Sequence, residues 1–282
     1  MDKVWQLAHG RSLSLGEKSV IMGILNVTPD SFSDGGRHDD PDRALAAAGK
    51  MLDEGAAIID VGGESTRPGA EPVDADTEAA RVLPVIEALA GRYGCLISID
   101  TYRAATAEKA VAAGAHIVND VWGLQREPPI ADVARRTGAG LVIMHTSRDR
   151  ATLPDVIADQ FAFLNRSLEI ADAAGIERSR IVLDPGFGFG KNAGEDMALM
   201  ARLEELRGLG LPLLAGTSRK RFIGAVTGRT EAAQRDVGTA ATSVALRLAG
   251  ADIFRVHNVA FNKDALAVAD AILQVRSGEN RK

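Results

Sequence analysis

"VIMGILNVTPDSFSDGG", Val20 to Gly36, begins as an apolar run and turns at Asn26 into a loop of Thr, Pro, Asp, Ser and Gly. The same transition recurs along the chain. "AAIIDVGG" carries Asp60, "CLISIDT" reaches Asp100, "AHIVNDV" reaches Asn119 and Asp120, and "GLVIMH" ends at His145. "RIVLDPG" then ends at Asp184, "LPLLAGTS" at Thr217 and Ser218, and "DIFRVHN" at Arg255, His257 and Asn258. These eight runs are rich in Ile, Val and Leu without strict alternation, as strands covered on both faces of a parallel sheet are.

Between the runs lie Ala-, Glu- and Arg-rich stretches with helical spacing, such as "DTEAARVLPVIEALAGRYG" and "LPDVIADQFAFLNRSLEIADAAG". Most end in Gly, the residue a helix C-terminus favours. The pairs Gly55-Ala56, Gly114-Ala115 and Gly250-Ala251 stand just before the next strand, where a tight turn needs a permissive backbone. Eight strand-then-helix units predict a (β/α)8 TIM barrel. An open doubly wound sheet is the alternative, but its first turn would carry a glycine fingerprint for dinucleotides, and "NVTPDSFSDGG" does not. Residues 1–19 are expected to form a short hairpin or arm closing the barrel's lower end, with no linker and no second domain over residues 1–282.

Composition limits the function. Hydrophobic residues make up 46% and charged residues 25%, enough for a sizeable core, and the net charge of −5 argues against general affinity for nucleic acid or anionic membrane. Any anion site must be local. The single cysteine, Cys95, has no partner for an internal disulfide and reads as a small buried hydrophobe in a reducing compartment. The first residues are too polar for a signal peptide and no run is long enough to span a membrane, so a soluble cytoplasmic protein is expected.

In such a barrel the strand C-termini and following loops share one mouth. Asn26, Thr28, Asp30, Asp34, Asp60, Asp100, Asn119, His145, Asp184, Ser218, Arg255 and His257 are expected to face it. Asp100, Asn119 and Asp184 form a set of hydrogen-bond acceptors suited to a planar ligand edge with several N–H donors, such as a guanidine or aminopyrimidine. A metal is less well served, since only His145 and His257 stand at that depth and no paired Cys or HExxH motif is present.

The opposite flank is basic, with "GTSRKRFIG" after strand seven and Arg255 and His257 at the end of strand eight. Loops seven and eight of this fold commonly hold phosphate, so an anionic group is expected there. Lys220 is the inward-facing cation of its run, and Arg219 and Arg221 read as solvated charges. The first two loops, with Phe32 and Pro68 as apolar cover and Thr66 and Arg67 as hydroxyl and cation, suit closure over a second, carboxylate-bearing ligand. The glycines of "DPGFGFGKN" lack P-loop spacing and are expected to bring backbone close to a flat ligand, with Phe189 against its ring. No Ser-His-Asp order or reactive cysteine suggests covalent catalysis. Displacement of a phosphate or pyrophosphate by positioning and charge stabilisation fits these parts.

In order, "GILNVTPDSFSDGG", "DVGGESTRPGA", "SIDT", "AHIVNDVWG", "IMH", "DPGFGFGK", "GTSRKRFIG" and "RVHNV" resemble the dihydropteroate synthase family, the folate-pathway enzymes targeted by sulfonamides. The resemblance runs from about Val20 to the last helix. It implies a usually dimeric TIM barrel that joins 6-hydroxymethyl-7,8-dihydropterin pyrophosphate to p-aminobenzoate and releases pyrophosphate. Carried over, the pterin pocket falls on Asp100, Asn119, Asp184 and Lys220, with Met144 and Phe189 as apolar contacts. The pyrophosphate site falls on Asn26, Arg255 and His257, with Asn26 also reaching Mg2+. The p-aminobenzoate side falls on Phe32, Thr66, Arg67, Pro68 and Ser218, and Asp34 belongs to the first loop. Asp34, Arg67, Lys220 and Arg255 are the residues implied for turnover.

Two features depart from the family pattern. Asn258 follows "RVH" where Asp is frequent, and "MHTSRDR" replaces a loop that often continues Met-x-Gly. A non-catalytic pterin-binding module and a methyltetrahydrofolate-binding methyltransferase barrel are the rival readings. The retained turnover residues weigh against the first, and the pyrophosphate residues and "NVTPDSF" loop against the second.

Overall fold

The computed structural model describes residues 3–28, 40–64 and 73–278. Asp30, Phe32, Asp34, Thr66, Arg67 and Pro68 therefore lie outside the described residues.

A hairpin of β1 (Lys3–Gln6) and β2 (Ser12–Leu15) comes first, followed by β3 (Val20–Asn26). Helices and strands then alternate: α1 (Asp40–Asp53), β4 (Ile58–Gly62), α2 (Ala75–Arg92), β5 (Leu96–Asp100), α3 (Ala104–Ala112) and β6 (Ile117–Asp120). The second half runs α4 (Pro129–Thr137), β7 (Gly140–Met144), α5 (Val156–Ala173), β8 (Ile181–Asp184), α6 (Ala193–Ala201) and β9 (Leu214–Ala215). It ends with α7 (Arg221–Thr227), α8 (Asp236–Leu248), β10 (Ile253–Val256) and α9 (Val259–Ser277).

Strands β3 to β10 form one parallel eight-stranded sheet in the order β8-β7-β6-β5-β4-β3-β10-β9. It is nearly closed by a parallel bridge between Leu183 and Leu213, where Leu183 N donates to Pro212 O at 2.9 Å. This is the expected (β/α)8 barrel. The turn glycines behave as expected too, with φ of 108° at Gly55, 117° at Gly114 and 103° at Gly250. Helix starts use the side chains that the sequence offers: Asp74 accepts from Thr77 N, and Asn192 with Glu195 forms a capping box on α6.

The strands also carry an internal gradient. Their outward residues, among them Ile59, Val61, Ile97 and Ile99, pack with the helices in one large core. On the inward side each strand begins apolar, and Met22, Ile58, Leu96, Ile117, Val142, Val182, Leu214 and Ile253 form a separate cluster. Two residues further on, the same face turns polar at Asp60, Ser98, Asn119, Asp184 and Arg255. The period of two is present, but both faces are covered, so it shows as a change of chemistry along the strand and not as hydrophobic alternation.

Trp5, Leu7 and Leu15 of the hairpin segment join the lower inward cluster and are almost wholly buried. Trp5 Nε1 donates to Arg180 O at 2.8 Å, and a Cβ on Gly140 would come within 2.3 Å of the Leu7 side chain. Cys95 is half-buried beside the outer core, less enclosed than the sequence suggested, and burial raises its thiol pKa.

Candidate active site

The upper inward residues surround a cavity of about 500 Å3, a size typical of small-molecule sites. Asn26, Asp100, Phe189, Ser218, Lys220, Arg255 and His257 all line it, as do Thr28 and Glu64. Register explains the left wall: Asn26 pairs with Gly62, Gly62 with Asp100, and Asp100 with Asn119. Gly62 has no side chain between its neighbours, and a Cβ there would sit 3.6 Å from both Asn26 Oδ1 and Asp100 Cβ.

Arg255 organises the floor. Its Nε donates to Asp60 Oδ2 at 2.6 Å and its Nη2 to Asp100 Oδ2 at 2.6 Å, while Asn119 Nδ2 donates to Asp60 Oδ2 at 3.2 Å. Burial opposes the charge on Arg255, but Asp60 and Asp100 more than offset it and raise its pKa. Burial pushes the Asp100 carboxyl up to about 7 even with Arg255 beside it. Asp60, 0% exposed, makes both of these bonds through one oxygen, and its Oδ1 is buried with no hydrogen-bond partner among the described residues.

Asp184, Asn119 and Met144 are nearly buried, 4%, 3% and 2% exposed, and lie just beneath the open cavity. Met144 pairs with Asp184 across β7 and β8. Asp184 Oδ1 accepts from Gly186 N at 2.7 Å, and burial raises its pKa against the pull of Lys220. A Cβ on Gly216 would lie 3.7 Å from Asp184 Oδ2 and 3.9 Å from Arg255 Cβ, so the acceptor and cationic flanks meet at one end of the barrel. Lys220 Nζ donates to Phe187 O and rests 4.3 Å from the centroid of Phe189. Burial lowers its pKa to about 7, with Asp184 opposing. Ser218 Oγ and His257 Nδ1 are 2.9 Å apart, and His257 N donates to the same hydroxyl at 3.0 Å.

Several placements differ from the sequence reading. His145 is sealed beneath the site, because β7 ends one residue earlier and its ring turns away from the barrel interior to Asp159, Arg150 and Lys191, each at 2.9 Å. Burial lowers the His145 pKa to about 4. Arg219 is no solvated charge: it adopts φ 58° and forms a two-toothed ion pair with Asp236 at 2.7 and 2.9 Å. Of the glycines of "DPGFGFGKN", Gly188 lines the cavity beside Phe189, whereas Gly186 and Gly190 press on other protein backbone. Gly186, at φ 66°, passes so close that a Cβ would be 1.8 Å from His145 O, and Gly190 presses on the Arg148 backbone.

Lys191, Arg148 and Asp196, which also line the cavity, were not singled out. Lys191 carried a legible signal as the cation ending the glycine loop; Asp196 lay hidden in a helix. α7 falls in what the sequence presents as loop seven. Asn258 caps α9 through Phe261 N and donates to Asp236, away from the cavity.

A model of the pterin binding enzyme family matches residues 22–257. Dihydropteroate synthase of Bacillus subtilis (strain 168) is 48% identical over 270 residues, covering 95% of this chain and 94% of that protein. The chain belongs to the dihydropteroate synthase family. As a member it is a transferase. The Xanthomonas albilineans dihydropteroate synthase with 4-aminobenzoic acid superposes with a TM-score of 0.91 at 43% identity, over 96% of this chain and 99% of that one. The same organism's enzyme in complex with 7,8-dihydropteroate gives 0.87 at 40% identity, over 95% and 98%.

Proposed function

We propose that this dihydropteroate synthase family member condenses 6-hydroxymethyl-7,8-dihydropterin pyrophosphate with p-aminobenzoate to give 7,8-dihydropteroate and pyrophosphate. The observation that carries this reading is the convergence of Asp184 and Arg255 on Gly216 at one mouth. Asp100, Asn119 and Asp184 take the aminopyrimidinone edge, Lys220 its carbonyl side, and Met144 and Phe189 its apolar surface. Arg255, His257 and Asn26 hold the pyrophosphate. Ser218 with Phe32, Thr66, Arg67 and Pro68 holds p-aminobenzoate, and Asp34 and Arg67 assist turnover from the first two loops.

The C–O bond to pyrophosphate breaks first, with its electron pair leaving on the phosphate oxygen. Arg255 and His257 stabilise that charge, and Asp100 and Asp184 favour the cationic pterin methylene left behind. The neutral amine nitrogen then forms the C–N bond and loses one proton. No protein nucleophile takes part.

Among the described residues no group of three or more His, Cys, Asp or Glu is placed to hold a metal. Mg2+ keeps waters and uses substrate phosphates, and so needs only one or two protein oxygens. Asn26 Oδ1, beside Arg255 and His257 on the cavity wall, would be that oxygen. When bound, the ion would supply charge neutralisation on the pyrophosphate.

We read residues 1–282 as one barrel with residues 1–19 as its lower arm, supported by the burial of Trp5 and Leu15 against the strand starts. No helix among the described residues is long and apolar enough to cross a membrane, and a cytoplasmic location is supported by the lone thiol of Cys95. A homodimer is supported by the exposed Val268, Ile272 and Val275, spaced along one face of α9. The test is to mix the purified chain with Mg2+, the pterin pyrophosphate and p-aminobenzoate. Dihydropteroate and pyrophosphate should appear in equal amounts; absence of the coupled product would overturn the reading.

A further inference from the structure

Below the cavity, Arg150, Asp159, His145 and Lys191 form one chain of polar contacts that runs from the segment "HTSRDR" and α5 into the loop after β8. Arg150 donates to both oxygens of Asp159, at 3.0 Å to Oδ1, and Leu153 N donates to Oδ1 at 2.8 Å. Asp159 Oδ2 lies 2.9 Å from His145 Nε2, and His145 Nδ1 lies 2.9 Å from Lys191 Nζ.

The two ends of this chain assign the proton in its middle. Burial lowers the Lys191 pKa to about 8, against the pull of Asp196, which leaves an ammonium at neutral pH. An ammonium can only donate, so His145 Nδ1 accepts. The neutral ring then carries its hydrogen on Nε2 and gives it to Asp159. Asp159 thereby fixes the tautomer, and the tautomer fixes Lys191.

Lys191 lines the cavity, but its ammonium is turned to His145 and to Gly186 O, the latter at 2.9 Å. Gly186 O also accepts from Phe189 N at 3.2 Å, so Lys191 and Phe189 meet at one carbonyl. It is the middle of three consecutive carbonyls held by side chains. Pro185 O accepts from Gln160 Nε2 at 2.9 Å, and Phe187 O accepts from Lys220 Nζ. The loop is packed against Lys220 as well, since a Cβ on Gly188 would lie 3.0 Å from its Cδ. A shift at Gly186 is therefore passed to both Phe189 and Lys220.

We propose that Lys191 and His145 are a positioning pair that sets Phe189 and Lys220 against the pterin ring, His145 acting only through Lys191. This rests on the proposed function and deepens it. It gives the sealed His145 cluster a part in pterin recognition.

The test applies calorimetry and steady-state kinetics to variants of the full chain. In K191M the dissociation constant for 6-hydroxymethylpterin and the KM for the pterin pyrophosphate should each rise about tenfold, the effect of one charged hydrogen bond, with kcat held within about twofold. Affinity for pyrophosphate in Mg2+ and KM for p-aminobenzoate should stay within about twofold.

Two His145 variants separate positioning from plain support of the fold. Asn places its carbonyl oxygen near the position of Nδ1, and Gln places its amide nitrogen near that of Nε2. H145N thus keeps an acceptor for Lys191, and H145Q keeps a donor to Asp159. H145Q should repeat the K191M defect, H145N should weaken pterin binding at most about threefold, and K191M/H145Q should be no worse than K191M.

Equal losses of pterin affinity in H145N and H145Q would overturn the proposal, as would unchanged pterin binding in K191M or a K191M defect in pyrophosphate or p-aminobenzoate binding. Lys191 is only half-buried, so K191M decides the matter if neither His145 variant folds. A parent chain that binds no pterin would instead overturn the function itself.

Discussion

Arg255 Nε and Asn119 Nδ2 converge on a single oxygen, Oδ2 of Asp60, at 2.6 and 3.2 Å. Asp60 is wholly buried, so it acts on the site through its partners. Replacing it with Asn sets an amide against the guanidinium and leaves a buried charge less well paired. D60N should lower stability by about 3 kcal/mol, and kcat/KM for the pterin substrate should fall at least about tenfold as Arg255 loses its orientation. Denaturant unfolding and steady-state kinetics check both parts.

Asp100 gives the site its pH dependence. Its carboxyl, pushed up to about 7 by burial, takes up a proton as pH falls through that value and then loses the charge that pairs with Arg255 and strengthens its acceptance from a ligand N–H. kcat/KM for the pterin substrate, which reports the free protein, should therefore decline below about pH 7. In D100N the residual activity should show no such acid limb.

Asp159 ties together the His145 cluster below the cavity. Burial raises its pKa, but hydrogen bonds from His145, Arg150 and Leu153 N outweigh this and hold it well below the ordinary carboxylate range. A depressed carboxylate contributes stability above its unfolded value near 4 and loses that contribution as pH falls through the folded value. D159N should cost about 3 kcal/mol at pH 7. The gap to the parent chain should narrow below about pH 4, as urea unfolding at several pH values would show.

Gly186 tolerates no side chain. With φ 66° and His145 O only 1.8 Å from any Cβ, G186A requires the loop to leave β7. A loss of about 3 kcal/mol or more is expected, or no folded protein.

Trp5 separates stability from chemistry. It is 1% exposed at the barrel's lower end and is not among the described residues that line the cavity. W5A should cost about 3–5 kcal/mol while kcat per folded molecule stays unchanged at a temperature where the variant remains folded.

The barrel was legible because its signal is repeated: eight apolar runs each reach a polar terminus, and β3 spans Val20–Asn26 as the opening stretch suggests. The convergence of Asp100, Asp184, Lys220 and Arg255 was legible for the same reason, since strand ends share a mouth. His145 was misplaced because a single residue's shift at the end of β7 changes which way a side chain points. Arg219 reads as one charge in a run, and only the fold brings Asp236, seventeen residues later, against it. The glycines of "DPGFGFGKN" have the same sequence signature whether a ligand or another loop presses on them. Arg148 gave no signal, because its place depends on the bond from Ser147 N to Phe189 O across two loops.

The central claim is that acceptors on one flank read the pterin and cations on the other read the pyrophosphate. Calorimetry on D184N, titrated separately with 6-hydroxymethylpterin and with pyrophosphate in Mg2+, tests it most directly. Pterin affinity should fall at least about tenfold while pyrophosphate affinity stays within about twofold. Unchanged pterin binding, or an equal loss of both ligands, would contradict the division of the site.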